Sequence, residues 1–184
     1  VRLTNYGEYL ERNGPTHEVR IIEDASWSCA HGVDRWRANC GCATGGRPEW
    51  NQRWREPLRA ALDWLRDEVA TPFERAASEL VEDPWAARDD YIDVILDREP
   101  APIAAFQDAH TRRELSAEEM VRLTKLLELQ RHAMLMYTSC GWFFDDVSGM
   151  ETVQVIQYAG RAIQLAQETL GIDPEPEFLE RLEK

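Results

Sequence analysis

A chain of 184 residues is long enough for one domain with its own hydrophobic core and needs no disulfide framework to fold. Its 21 Lys and Arg against 34 Asp and Glu leave a net charge of −13, which repels nucleic-acid backbones and anionic membrane surfaces and argues against both as partners. With a mean hydropathy of −0.52 and no long apolar run, the sequence holds neither a membrane span nor a signal-peptide core, so a cytoplasmic protein is expected. The chain opens at Val1 without an initiator Met, and a fragment of a longer protein is the expectation.

In chain order, residues 1–50 read as an irregular lobe. They carry a short β-like piece, Val19 to Ile22, and a loop from Ser26 to Gly46 without helical period. From Pro57 the pattern changes. Leu58, Ala61, Leu62, Leu65 and Val69 repeat at helical spacing, and Pro72 is expected to kink or end that helix. Phe73 to Val81 continues as a second helical stretch, and Asp83 caps a helix from Pro84 to Leu96, closed by Pro100 and Pro102. Ser116 and Glu119 form a capping-box pattern that opens a long helix from Ala117 to about Ser139. A turn over 140–149 leads to a helix from Met150 to Leu170 stopped by Gly171, and a short helix, Glu175 to Leu182, ends the chain. The expected fold is a single all-α domain over 1–184. A bundle of four to five helices (51–184) carries an irregular Trp- and Cys-rich N-terminal lobe (1–50).

Two groups of residues stand out chemically. Cys29, His31, Cys40 and Cys42 supply three thiols and an imidazole, the soft donor set that tetrahedral Zn²⁺ favours, although their one-residue gaps are tighter than the usual two to four. Metal ligation, free thiols and a Cys29–Cys40 disulfide all remain open at this level. The second group is aromatic. Seven Trp is about three times an ordinary share, and Trp27, Trp36, Trp50 and Trp142 fall in loops or at element ends, where a flat ring can serve as a platform for a sugar. Asp145 and Asp146 follow, as acid and base or hydroxyl acceptors or as part of a helix-entry turn capped by Ser148 or Asp146, and His132 is expected to pair with Glu128 one turn away. Signatures of nucleophilic hydrolases, P-loops, dinucleotide sites and zinc peptidases are absent from the sequence.

Several phrases together resemble a known family. Thr4 to Leu10, Pro15, Glu18 to Ile22 and Ser26-Trp27 are similar to the segment that follows the catalytic barrel in glycoside hydrolase family 57. Leu126 to Gln130, Ser139 to Phe144 and Tyr158 to Arg161 resemble a later stretch of the same proteins. One branch of that family, carrying a domain of unknown function, matches most specifically at Ser26 to Gly32, Cys40 to Cys42 and Met136 to Phe144. The resemblance implies a C-terminal helical domain, not catalytic by itself, that walls one side of an α-glucan or oligosaccharide cleft. The two carboxylates of a retaining glycosidase would lie in an upstream barrel of the same polypeptide. It matches Trp27 and Trp142 to tryptophans near that cleft, and with Trp36, Asp145 and Arg161 these are the expected carbohydrate contacts; the Cys29/His31/Cys40/Cys42 group has no counterpart in the ordinary enzymes. Gly141 replaces an Asp of the active enzymes and Leu165 a His that some carry. Two other readings compete: a structural or interaction module stapled by zinc, and an autonomous metalloenzyme with an open coordination position.

Overall fold

The structure, a computed structural model, describes residues 2–183. It is all-helical, with seven α-helices and two short 3₁₀ turns among these residues; extended pairing is limited to a single bridge between Val81 and Thr111. The β-like piece at 19–22 is therefore exposed coil, since no second strand lies beside it.

Helix α1 (Tyr6–Arg12) is held by local polar contacts alone. Asn5 accepts the Glu8 N–H at 2.9 Å, Arg12 reaches Glu8 one turn back at 2.7 Å, and no residue of the helix is buried. Helix α2 (Arg55–Ala77) runs continuously through Pro72, so the proline neither ends the helix nor divides it in two. Pro72 removes one backbone donor, but Leu65, Val69, Phe73 and Ala77 are all fully buried on either side of it, and that apolar face outweighs one missing bond.

Helix α3 (Pro84–Leu96) starts where Asp83 accepts from the backbone of Trp85 and Ala86. Helix α4 (Pro100–His110) occupies the stretch expected to be a closing loop. Pro100 takes the first helical position, where a missing N–H is harmless. Helix α5 (Ala117–Leu135) opens with both arms of the Ser116/Glu119 capping box. Helix α6 (Met150–Leu170) begins at Gly149, not at a capping Asp146 or Ser148 side chain, and ends at Gly171 with φ +67°. Helix α7 (Glu175–Leu182) drops Phe178 into the core.

The core has two lobes. The first half of α2, the second half of α5, α6 and α7 enclose Leu62, Leu65, Leu129, Val155, Ile163 and Phe178. The rest of α2 and α5 with α3 and α4 enclose Phe73, Leu80, Tyr91, Phe106, Leu123 and Leu127. No helix among the described residues is long and apolar enough to cross a membrane.

Candidate metal centre

Apart from a 3₁₀ turn over Gly32–Trp36 the loop over 29–42 has no regular structure, so its shape comes largely from glycines and side-chain bonds. Gly32 sits at φ +61°, and a Cβ there would come within 2.5 Å of the Asp24 carbonyl oxygen, so the chain closes tightly behind His31 only because the residue is glycine. Gly41, between two cysteines, lies at φ +76°, a left-handed curl that lets both flanking thiols turn inward. This is how one-residue spacing becomes compatible with a common centre.

Within that curl the Sγ of Cys29 lies 3.3 Å from the His31 Nδ1 and 3.5 Å from the Cys42 Sγ, and Cys42 Sγ is 3.5 Å from the same Nδ1. Including Cys40, all four donor atoms fall within 4.8 Å of one another. Tetrahedral bonds of about 2.3 Å to sulfur place neighbouring donors roughly 3.8 Å apart, so the cluster fits one small ion. The four residues could hold a metal ion, each offering one donor atom. All four cysteines of the chain are free, so the Cys29–Cys40 disulfide, one of the three alternatives, is not formed.

A polar layer backs the cluster. Gln52, fully buried, accepts the Gly41 N–H at 3.1 Å and the Cys40 thiol at 3.5 Å through its Oε1, and donates through Nε2 to Asp145 at 2.6 Å. Asp145 also accepts the backbone N–H and hydroxyl of Thr44 at 2.6 and 2.8 Å, which ties the far end of the loop to the turn before α6. Burial would push the Asp145 carboxyl up, but the bonds from Gln52 and Thr44 and the charge of Arg55 hold it below the usual range. Arg55 reaches the Cys40 Sγ at 3.5 Å, and Arg35 donates to the Cys42 carbonyl at 2.9 Å. Burial pushes the Cys40 thiol up as well, yet hydrogen bonds from the Cys42 backbone, Cys29, Arg55 and Arg35 bring it down to about 7. Cys42, hydrogen-bonded to Cys29 and partly desolvated, goes the other way, to about 11.

Arg35 links this centre to an aromatic face. Its guanidinium lies 4.4 Å from the Phe143 ring centre and donates to the Phe143 carbonyl at 3.1 Å. Phe143 carries Trp27 stacked on it, with ring centres 6.2 Å apart, and meets Phe144 edge-on. Trp27, Trp36, Cys140, Phe143, Phe144 and Glu151 surround an open depression of about 310 Å³. Trp27 is 88% exposed there, whereas Trp142 is 1% exposed, stacked on Trp54 in the core with Arg59 beyond. Arg161 lies ten residues along α6 from Glu151, paired with Gln164 and Glu168, and does not line the depression.

Of the five nominated carbohydrate contacts, then, the structure brings Trp27 and Trp36 to one surface, places Trp142 and Asp145 beneath it, and leaves Arg161 elsewhere. Sequence reasoning missed Gln52, Arg35 and Arg55, which sit far from the cysteines along the chain or read as surface charge. Gly141 is explained by packing: a Cβ there would meet the Val155 Cγ2 at 2.3 Å, leaving no room for an Asp. His132 donates its Nδ1–H to the Glu128 backbone carbonyl, 2.8 Å away, and the Glu128 carboxylate accepts from Tyr91, Arg98 and Arg131, so this pair is structural.

The family model for a domain of unknown function, DUF3536, matches residues 50–184, from the last residues before α2 to the end of the chain. The loop with the Cys29/His31/Cys40/Cys42 group lies ahead of the matched range. A comparison with curated proteins and one with solved structures return no match.

Proposed function

The chain belongs to the DUF3536 family of domains of unknown function, and we propose that it is the non-catalytic helical part of a glycoside hydrolase family 57-like protein. In this reading Zn²⁺, held by Cys29, His31, Cys40 and Cys42, staples the N-terminal lobe, and the lobe presents aromatic rings to an α-glucan. The supporting observation is the exposed Trp27 ring on Phe143, at the rim of a depression whose floor is gripped by Arg35 from the metal loop. A glucose ring offers an apolar C–H face to such a surface, and the Glu151 carboxylate at its edge can accept from sugar hydroxyls. A closed four-donor site supplies folding energy and no reactive water, so the metal acts on shape and not on chemistry. The two carboxylates of glycoside cleavage would come from an upstream barrel of the same polypeptide. Apolar side chains along residues 2–28 that find no cover here, among them Leu3, Tyr6, Val19, Ile21 and Ile22, suit the contact with that barrel.

Titration of the chain with maltooligosaccharides, followed by tryptophan fluorescence, tests the carbohydrate part. A saturable change that disappears in Trp27→Ala supports it. No response from the intact chain, or an undiminished one in the variant, rejects it.

A further inference from the structure

We infer that Arg55 and Arg35 are the built-in counter-charge of the metal centre, and that they restrict it to one divalent ion held by three thiolates and a neutral imidazole. This rests on the zinc reading above and deepens it by assigning the residues that select the charge of the ion.

Among the described residues three charged side chains are buried: Arg55 at 0% exposure, Arg35 at 3% and Asp145 at 4%. All three belong to the layer behind the four donors. Two buried guanidiniums against one buried carboxylate leave one unit of positive charge uncompensated behind a cluster in which Cys29 is buried, Cys40 and Cys42 are half-buried and His31 is exposed. Isolated buried charge is strongly unfavourable, and each guanidinium in addition keeps a buried Nε–H without a partner. Three thiolates around a divalent ion carry one unit of negative charge and would balance the excess of the three buried side chains. Three protonated thiols, or a trivalent ion, leave the excess in place; a monovalent ion overshoots it. Donor atoms as close as 3.3 to 3.5 Å, and all within 4.8 Å, leave no room for a multi-iron core between the sulfurs.

The contacts put the charge where it counts. Arg55 extends one amino group to the Cys40 Sγ and the Ala38 carbonyl, each at 3.5 Å, and the other to the Phe143 and Phe144 carbonyls at 3.4 and 3.3 Å. Arg35 bridges the Cys42 and Phe143 carbonyls. Both are positioning residues. They lie outside the first ring of ligands, tie the ligand loop to the turn before α6, and stabilise thiolate on that loop.

The charge is separable from the packing. The metal-free chain is titrated with Co²⁺, read by the thiolate-to-cobalt charge-transfer absorption, and Zn²⁺ affinity is obtained by competition. Arg55→Gln and Arg55→Lys both lose the fork geometry, but only Lys keeps the charge. Arg55→Gln is expected to weaken Zn²⁺ binding about 10- to 100-fold and Arg55→Lys by no more than about threefold. The same pair at Arg35 is run in parallel, so that one position that fails to fold leaves the other informative. Equal affinities for the Gln and Lys variants would overturn the counter-charge assignment while leaving the zinc reading intact. A wild-type chain that shows no saturable charge-transfer band at one cobalt per chain would overturn the zinc reading itself, and the inference with it.

Discussion

Two tryptophans show how one residue type divides into opposite roles. Trp142 is stacked on Trp54 and packed among Leu62, Val155 and Ala159, so its removal opens a large cavity. Trp142→Ala is expected to lower stability by about 3–5 kcal/mol in denaturant unfolding. Trp27 keeps 88% of its surface in water, and Trp27→Ala is expected to change stability by less than about 0.5 kcal/mol while abolishing the maltooligosaccharide response. Equal stability losses for the two variants would contradict this division. The sequence placed both residues in loops, and nothing local separates them. The difference arises from Gly141, whose missing side chain lets the 139–142 turn settle against Val155 and carry the adjacent indole inward. That contact spans fourteen positions and becomes visible only in three dimensions.

At the scale of elements, legibility followed local chemistry. The capping box of α5, the Asp83 cap of α3 and the glycine stop of α6 are each written within four residues, and each is in place. Helix α4 was hidden because two prolines read as a stop, although Pro100 is well suited to a first turn, and because Phe106 is its one buried residue. Helix α1 is only seven residues long and buries no face, since Tyr6, Tyr9 and Leu10, at helical spacing, all stay exposed; so short a pattern went unread.

The capping box also makes a pH prediction. The side-chain bonds from Arg113, with the Ser116 backbone N–H, hold the Glu119 carboxyl at about 2 against an ordinary 4.5. A depressed folded value stabilises above the unfolded value and is lost as protons bind, so the contribution is present above about pH 4.5 and fades toward pH 2. Melting temperatures of wild type and Glu119→Gln should therefore differ near neutrality and converge as the pH falls through that window. A constant gap would show that the carboxylate charge plays no part.

For the whole molecule, the bundle and the lobe are stabilised by different means. Helices α2 to α7 share two apolar cores, whereas residues 29–46 fully bury a single hydrophobic side chain, Cys29, pack Trp36 partly against the core, and are otherwise fixed by polar contacts to Gln52, Asp145 and Phe143. Such a segment gains little from burial and needs another source of order, which an ion bound by the Cys/His group would supply. The donor residues were legible as a soft ligand set from their types alone. Their convergence was not, because it depends on the left-handed curl at Gly41 and on partners ten to a hundred positions away, such as Gln52 and Asp145.

The account turns on that ion. X-ray absorption at the zinc edge, on the chain purified without added metal, reads both occupancy and ligand identity. About one zinc per chain, with three sulfur neighbours near 2.3 Å and one nitrogen near 2.0 Å, is the predicted result. A chain free of zinc, or zinc surrounded by oxygen, would contradict it.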